Sequence, residues 1–487
     1  MKNGALIISG WLGCHKRSAI LLVLAWVLSS CGSNSTSSPG NPSPTPLVTV
    51  SIDQSHQFQT VEGFGAEMSL WNANGHRCPQ PQPDTVPDSD NTKILDDLYS
   101  DLGLTGMRTF VEFQGPGGDF DRFLPLAPIY AQIQTRLAAT GDHLAYNFVA
   151  VVTPAFRNWL GRLASDGAAR YAGWAANGLT TLKNQYGIVV NHWGIVNEPD
   201  GVGNITPSEL KQLVSATGAA FQSAGLATTI AVPQTVVVRR VAGYATPILS
   251  DPSTRQYVSQ LDYHEYDYDA SRGQSPDITE RHAVRDLAKQ YGLTVAQRET
   301  STDVKHNQNT FWDGTYDQAM AWANDLMTDM VEANAAAWDL ILAKYPRTDR
   351  IGLSSYIVMN LTNCVYQSFD IPPHYWTLRQ FVKFVRQGAV RIAASSSSGD
   401  VRAVAFTDSK RQQTIIVAIN NNATTNLRVA FTGTPSGSAT VSTVTQASVN
   451  NASQGQSGAQ TSQVTAQNGQ FTVTLLARSL TTFVFGP

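Results

Sequence analysis

Short apolar stretches alternate with helical patterns along residues 61–342, and this alternation limits the fold more than any other feature. Each apolar stretch has the length and composition of a buried strand. Between the stretches, apolar residues recur at helical spacing, as in Pro207–Ala224 and Asp317–Asn334. Eight such repeats over roughly 300 residues are typical of a (β/α)8 barrel, so we predict an α/β fold with a TIM barrel. The predicted barrel strands are Val61–Met68, Gly106–Val111, Asn147–Thr153, Trp193–Glu198, Thr228–Pro233, Leu261–Tyr266, Leu293–Glu299 and Ala335–Leu342.

Helical periodicity fades after Phe384, and short strand patterns separated by Ser, Gly, Asn and Thr follow. Such patterns predict an additional antiparallel β-sandwich. An alternating strand at residues 47–60 precedes the barrel repeats, and we expect it to join this sandwich. From residue 47 onwards, the predicted organisation is therefore the strand at 47–60, a barrel at 61–387 and a sandwich at 388–487. The predicted sandwich strands are Val401–Phe406, Thr414–Ile419, Leu427–Phe431, Phe471–Leu476 and Ser479–Phe485.

The first 46 residues have the pattern of an export signal followed by a tether. A basic cluster precedes the apolar run Ala19–Leu28, which is too short to span a bilayer. The run ends in Leu28-Ser29-Ser30-Cys31, which resembles the lipobox of bacterial lipoproteins and implies lipidation of Cys31. Residues 31–46 are rich in Ser, Gly, Asn and Pro, a composition that favours a flexible tether. We therefore expect residues 1–30 to be a signal peptide and the protein to be an exported envelope lipoprotein. A plain signal peptide with a chance cysteine is the alternative.

Charge and cysteine content exclude several classes of function. The formal net charge is −3 and no basic block is present, which gives no electrostatic basis for nucleic-acid binding. Neither Cys-x-x-Cys nor His-Glu-x-x-His occurs, so we expect no metal site. Cys78 follows the first predicted barrel strand and Cys364 follows the eighth, and these strands are neighbours in a closed barrel. We therefore predict that the two cysteines form a disulfide in an oxidising compartment.

Two predicted strands end in a glutamate. The stretch Trp193–Pro199 closes on Asn197, Glu198 and a proline, and the stretch Leu293–Glu299 closes on Glu299. Parallel barrels carry their catalytic groups at the C-terminal ends of the strands. Two carboxylates at that face are what glycoside hydrolysis requires, about 5 Å apart for retention or about 6.5–9.5 Å apart for inversion. Glu67 and Glu112 also end predicted strands and are the second choice for the pair.

Asn197-Glu198-Pro199 on the fourth strand and a glutamate on the seventh resemble the clan A glycoside hydrolases. Further stretches in the same order resemble glycoside hydrolase family 30 over residues 47–487. The resemblance implies a retaining β-glycosidase that needs no cofactor. The stretches are Gln59–Gly65, Thr153–Phe156, His264-Glu265-Tyr266 and Tyr375–Gly388.

The resemblance also implies roles for single residues. Glu198 would be the acid/base and Glu299 the nucleophile. Asn197 would bond the sugar hydroxyl next to the reacting carbon, an interaction that strengthens in the transition state. The remaining substrate-binding residues implied by the family are Tyr266 as a donor to Glu299, Arg108 as its counter-charge, His264 as an orienting group and Trp338 as a stacking platform.

Some of these residues have a plainer interpretation. Trp338 is as well suited to the core as to a platform. The acidic residues Asp262, Glu265, Asp267 and Asp269 are interpreted as a solvated loop. Arg298 stands where a small hydroxyl residue commonly precedes the family nucleophile, which leaves the subfamily open.

The resemblance implies a hydrolase of β-linked oligo- or polysaccharides or glycolipids, and we expect a monomer tethered to a membrane by its lipid. No Lys-Arg pair of the kind found in glucuronoxylan-cutting members precedes Tyr375, which favours a neutral β-glucosyl or β-galactosyl substrate, possibly 1,6-linked. A β-xylan hydrolase of the same family is one alternative. A catalytically inactive glycan-binding lipoprotein is another, and a structural envelope protein whose sandwich carries the function is a third.

Overall fold

The computed structural model describes residues 47–68, 86–112, 120, 126–151, 165–201, 203–266, 278–301, 315–347, 354–452 and 457–487. The predicted signal peptide, the lipidation site at Cys31 and the tether lie outside the described residues. So do Cys78, Asp267, Asp269 and the side chain of Glu112. Within the described part of the chain, helices are too short or too polar to cross a membrane.

Eight parallel strands close into a barrel, as predicted, with neighbours in chain order and the last strand paired to the first. The strands are almost wholly buried on both faces, as in other parallel sheets covered by helices. The ring is closed by the pairing of Gly63 with Ala337. The barrel strands are β2 (Gly63–Glu67), β3 (Gly106–Glu112), β4 (Ala145–Val151), β5 (His192–Gly194), β6 (Thr229–Thr235), β7 (Val258–His264), β8 (Thr294–Glu299) and β9 (Ala335–Leu340).

Helices follow most of the barrel strands and bury an apolar face against them. The helix after β5 begins at Thr206, which forms a capping box with Glu209. Two helices end in π-helical turns, at Asp96–Asp101 and Asp329–Ala333. The described helices are α1 (Asp88–Leu95), α2 (Ala127–Ala138), α3 (Gly167–Tyr186), α4 (Pro207–Ser223), α5 (Val241–Leu249), α6 (Pro252–Arg255), α7 (Ile278–Tyr291), α8 (Tyr316–Thr328), α9 (Pro373–Val382) and α10 (Gln446–Ala452).

A nine-stranded, mostly antiparallel sheet forms the second layered part of the molecule, in accord with the predicted sandwich. Phe431 and Phe483 lie on strands that are far apart in the sheet, yet their ring centroids are 5.0 Å apart. The sheet therefore folds over on itself around a core of its own. Its strands are β1 (Val48–Thr60), β13 (Val390–Ser396), β14 (Val401–Asp408), β15 (Gln413–Asn420), β16 (Leu427–Thr432), β17 (Gly437–Val444), β18 (Gln460–Ala466), β19 (Gln470–Leu475) and β20 (Ser479–Phe485).

Strand β15 joins the two parts because it is apolar on both faces. Ile415 and Val417 pack in the cluster that holds the barrel and its helices. Ile416 and Ala418 point the other way, into the core of the sheet. Strand β15 therefore packs against the barrel and its helices with one face and against the core of the sheet with the other.

A small three-stranded sheet follows the last barrel strand and was not predicted. Its last two strands form a hairpin whose turn residues, Asn363 and Cys364, have φ values of 50° and 63°. Both values are positive, as a two-residue type I′ turn requires. Cys364 is disulfide-bonded, and its pairing with Cys78 stays a prediction. The strands are β10 (Leu342–Pro346), β11 (Ser355–Thr362) and β12 (Val365–Asp370).

Candidate active site

Asn197 and Glu198 lie at the barrel mouth, a few residues beyond the end of the short strand β5. Its central residue, Trp193, is fully buried, and its ring nitrogen donates to the Tyr171 hydroxyl at 2.9 Å. That hydroxyl in turn donates to the carbonyl oxygen of Ile195 at 2.5 Å. Beyond the strand, the N–H of Asn197 donates to Ala150 on β4. The chain is thus fixed from both sides immediately before Glu198.

Arg108 on β3 contacts side chains from the ends of several other barrel strands. Its side chain is 2% exposed, so its charge must be compensated inside the barrel. Nη1 donates to Glu299 Oε2 at 2.5 Å, and Nη2 donates to Asn197 Oδ1 at 2.6 Å. Nη2 also lies 3.2 Å from His264 Nε2. The guanidinium therefore fixes the relative positions of the predicted nucleophile and the residue beside the predicted acid/base.

Glu299 has a second donor in Tyr266, whose hydroxyl lies 2.7 Å from Oε1. Burial of Glu299 alone would raise its pKa. The Arg108 charge and the hydrogen bonds from Arg108 and Tyr266 oppose that effect and hold the pKa of Glu299 below its usual range. The carboxylate is thus ionised and oriented by a separate donor on each oxygen.

His264 lies between the two glutamates. Its Nδ1 is 3.1 Å from Glu198 Oε1 and 3.8 Å from Glu299 Oε2. Because Arg108 can only donate, Nε2 of the imidazole accepts and Nδ1 carries the proton. Nδ1–H then donates to Glu198. The imidazole therefore orients the carboxyl of Glu198 towards Glu299.

Among the described residues, Glu198, His264 and Glu299 form one group with spacing suited to a metal, with ligand atoms within 4.8 Å of one another. A metal on Nδ1 of His264 would move the ring proton to Nε2, where it would face an N–H of Arg108. The donor set therefore disfavours a metal. The same distance places an oxygen of Glu198 within 4.8 Å of an oxygen of Glu299, as a retaining carboxylate pair requires.

Gln234 is a site residue that the sequence interpretation missed. We ended the fifth strand at Pro233, but β6 continues to Thr235 with an irregular register around Gln234. The side chain is 4% exposed, and its Oε1 lies 3.4 Å from Arg108 Nη2. Proline is tolerated in a strand at such an irregularity. The signal available in the sequence was the polar pair Gln234-Thr235 directly after an apolar strand.

Trp338 does not lie at the mouth, so its assignment as a stacking platform is wrong. The ring is fully buried, and its nitrogen donates to Asp329 Oδ2 at 3.1 Å. Asp329 belongs to the π-helical turn after α8, so the indole faces the helices outside the barrel. Both faces of a parallel barrel strand are apolar, and the sequence pattern alone does not distinguish them.

Glu265 is also not part of a solvated loop. It is 3% exposed and is ion-paired with Arg281 on α7, which is itself buried. Arg281 also donates to Asp329 at 2.7 Å. Asp262 in the same stretch is fully buried inside β7. The acidic stretch therefore contributes buried ion pairs and hydrogen bonds behind His264 and Tyr266.

Arg298, which departs from the family pattern, is directed into the barrel. Its guanidinium donates to Asp339 Oδ2 at 3.0 Å and to Gln260 Oε1 at 2.6 Å. The side chain is 3% exposed. Glu67, one of the second-choice carboxylates, is buried at the end of β2 and lies close enough to raise the pKa of Arg108. The carboxylates that the structure brings together at the site are those of Glu198 and Glu299. The side chain of Glu112, the other second-choice carboxylate, lies outside the described residues.

Comparisons with solved structures identify the same architecture in known enzymes. The catalytic domain of xylanase C of family 30 from Talaromyces cellulolyticus superposes with a TM-score of 0.69 at 20% identity, covering 90% of this chain and 100% of that one. A family 30 endoxylanase from Clostridium papyrosolvens C71 gives 0.65 at 21% identity, covering 91% and 100%. An endo-β-1,6-glucanase gives 0.64 at 16% identity, covering 90% and 94%.

The chain shares its fold with these glycoside hydrolase family 30 enzymes. No family model and no curated protein matches the sequence. At these identities the likeness shows the fold alone.

Proposed function

We propose that the protein hydrolyses β-glycosidic bonds with retention of configuration, with Glu299 as nucleophile and Glu198 as acid/base. The observation that carries the proposal is the carboxylate pair within 4.8 Å at the barrel mouth. Inverting enzymes need a wider gap, because a water molecule must fit between one carboxylate and the sugar. The two environments also differ as the roles require. Glu299 has charged and neutral donors on its oxygens, whereas among the described residues Glu198 contacts the imidazole of His264.

In the first step Glu299 attacks the anomeric carbon while Glu198 gives its proton to the leaving oxygen. In the second step Glu198 takes a proton from water, which displaces Glu299 from the sugar. Asn197, held by Arg108, is placed to bond the adjacent hydroxyl. Tyr266 and Arg108 keep Glu299 negative until it bonds to carbon.

The substrate class proposed is a neutral β-glucosyl or β-galactosyl glycan or glycolipid. A β-xylan is the second candidate, because two of the structural neighbours are xylanases. Hydrolysis assays on β-1,6-glucan, β-1,6-galactan, β-xylan, glucuronoxylan and a β-glucosyl lipid distinguish these classes.

The decisive test compares Glu299→Gln, Glu198→Gln and Glu62→Gln. Glu62 precedes β2 at the opposite end of the barrel, where it accepts from Gln260, so its variant is the matched control. We expect Glu299→Gln to lose several orders of magnitude in kcat on the cleaved substrate and Glu62→Gln to keep wild-type activity. Proton NMR of the first product should show the β-anomer. An initial α-anomer, or equal activity in all variants, would contradict the proposal.

A glycan-binding protein without catalysis is the remaining outcome of the same experiment. Calorimetry with each glycan would then give binding to wild type and to Glu299→Gln, with no release of reducing sugar from either. The presence of both carboxylates, each with its own hydrogen-bond partners, favours the enzyme.

We also propose that the chain is exported and lipidated at Cys31. Its support is the sequence Leu28-Ser29-Ser30-Cys31 followed by a polar tether. In a bacterial host, radiolabelled palmitate should enter the wild-type protein and not Cys31→Ser. The wild type should also partition into the detergent phase of Triton X-114. Equal labelling of both proteins would contradict lipidation at this residue.

A further inference from the structure

A buried carboxylate that takes no part in the proposed reaction lies below the site. Asp262 on β7 is fully buried, and its Oδ1 accepts the backbone N–H of Gln234 at 3.1 Å. Its other oxygen is buried and, within the described part of the chain, has no hydrogen-bond partner. Burying a carboxylate is costly unless it serves a hydrogen bond or an ion pair. The hydrogen bond from Gln234 is therefore the informative feature of this residue.

Gln234 is the residue at which β6 leaves regular strand geometry. Its φ is +58°, and the pairing with β7 shifts between Pro233 and Thr235. A left-handed backbone is strained for a non-glycine residue. An irregularity of this kind also removes an N–H group from the sheet ladder. Asp262 accepts this displaced N–H, and so stabilises the irregular conformation.

The carbonyl of the same residue holds the proposed acid/base. The N–H of Glu198 donates to the carbonyl oxygen of Gln234 at 3.1 Å. Glu198 also has a left-handed backbone, with φ of +50°. A continuous chain of two hydrogen bonds therefore runs from Asp262 through the backbone of Gln234 to Glu198. A shift of Gln234 would turn the Glu198 carboxyl away from His264 and Glu299.

We propose that Asp262 is a positioning residue for Glu198 and acts through the backbone of Gln234. The inference rests on the proposed function, because it assumes that Glu198 is the acid/base. Its role is specific to proton transfer. Glu299 is held by Arg108 and Tyr266, so the nucleophile has its own supports.

The test uses Asp262→Ala, which removes the acceptor, and Asp262→Asn, which keeps an oxygen of the same reach. The probes are phenyl and 2,4-dinitrophenyl β-glycosides of glucose, galactose and xylose. Phenolate needs a proton from the acid as it leaves, whereas 2,4-dinitrophenolate leaves without one. We expect Asp262→Ala to lower kcat/KM on the phenyl glycoside by about 10²-fold, the effect of a small misplacement. On the dinitrophenyl glycoside the loss should be several times smaller, and Asp262→Asn should restore most of the activity.

Asp339→Ala is the control for loss of a buried barrel carboxylate. Asp339 is fully buried and accepts from Arg298 rather than from Gln234. Its variant should affect both substrates equally. Equal losses on both substrates in Asp262→Ala, or no loss, would overturn the positioning role.

The failure of the inference and that of the proposed function are distinguishable through Glu198→Gln. If Glu198→Gln shows no dependence on the leaving group, Glu198 is not the acid and the proposed function fails. If it shows that dependence and Asp262→Ala does not, only the positioning role fails. A crystal structure of Asp262→Ala gives a readout independent of activity. We expect the oxygens of Glu198 and Glu299 to move beyond 4.8 Å, and an unchanged site would contradict the inference.

Discussion

Glu299 is kept ionised by the residues around it, since solvent hardly reaches it. Its side chain is 7% exposed, and a carboxylate so buried would ordinarily hold its proton more tightly. Arg108 and Tyr266 reverse that tendency, and the pKa of Glu299 lies below its usual range. The nucleophile proposed above should therefore stay ionised at a lower pH than an ordinary glutamate does. The donors that achieve this can be removed one at a time.

Tyr266→Phe removes the hydroxyl donor on Oε1 and leaves the ring. Because that donor favours the ionised form, its loss should raise the pKa of Glu299. The acid limb of the kcat/KM profile should then move to higher pH, and kcat/KM should fall by about tenfold or more, as for other bonds to charged groups. Tyr356→Phe is the control, since Tyr356 is buried outside the site. A pH profile identical to that of the wild type would mean that Tyr266 does not act on Glu299.

The structure brings together the predicted catalytic pair, Asn197, Arg108, His264 and Tyr266. All of them except Arg108 lie at or just beyond the end of a strand, and strand ends converge in a closed barrel. Arg108 lies within β3 and reaches them with its long side chain. The predictions for Trp338 and Glu265 were wrong because the partners of these two residues come from helices that are distant in the sequence. Trp338 bonds to Asp329, and Glu265 pairs with Arg281. Sequence periodicity contains no information on such long-range partners. The tautomer of His264 likewise depends on Arg108, which is 156 residues away.

At the scale of elements, a glycine on β5, Gly194, leaves space for a side chain of the neighbouring strand β6. A Cβ built on Gly194 would lie 2.0 Å from Nε2 of Gln234 and 2.9 Å from a methyl carbon of Val149. The glycine therefore leaves room for the Gln234 amide to reach Arg108 across the strand. The irregular end of β6 and the small residue on β5 form one packing unit.

Gly194→Ala should disturb that unit. Overpacking of a buried site typically costs about 1–3 kcal/mol of unfolding free energy, and here it should also displace Gln234 and lower kcat. Gly173→Ala is the matched control, because Gly173 lies in α3 and a Cβ there would meet nothing within 4 Å. That variant should be neutral or slightly more stable, as alanine is the better helix former. Urea unfolding and kcat measured on both variants decide the matter, and wild-type values for Gly194→Ala would refute the argument.

The barrel strands were predicted well because each is a separate apolar run between helical patterns. The sheet of β10, β11 and β12 was not, since β9 and β10 follow each other with one residue between them and read as a single run. We accordingly assigned Ala335–Leu342 to one strand. Strands β13, β17 and β18 were missed because their many Ser, Thr, Gln and Ala residues resemble loops. Only pairing with a more apolar neighbour gives these segments their strand geometry.

At the scale of the whole molecule, the first described strand, β1, belongs to the nine-stranded sheet, whose other strands all come from the C-terminal part of the chain. Strand β1 lies between β13 and β16 in the nine-stranded sheet, antiparallel to one and parallel to the other. Val48, Val50 and Ile52 point into the core of that sheet. At its far end, Gln59 donates to the carbonyl oxygens of Met330 and Ala335 beside the barrel. Strand β1 thus connects β16 and β19 to the rest of the sheet and bonds the sheet to the barrel.

Deleting residues 47–60 should therefore unfold more than the deleted segment. The deletion would expose two strand edges in the middle of the sheet and remove three buried side chains, each contributing about 1.5–3 kcal/mol. The sum is comparable with the entire stability of a typical domain, about 5–15 kcal/mol. We expect a chain of residues 61–487 to be insoluble or to lack a cooperative thermal transition. A chain of residues 47–487 is the control and should melt in one transition, because β15 couples the sheet to the barrel. Thermal melting of both chains is followed by circular dichroism. If the shorter chain melted as the longer one does, the sheet would form without β1 and the argument would be wrong.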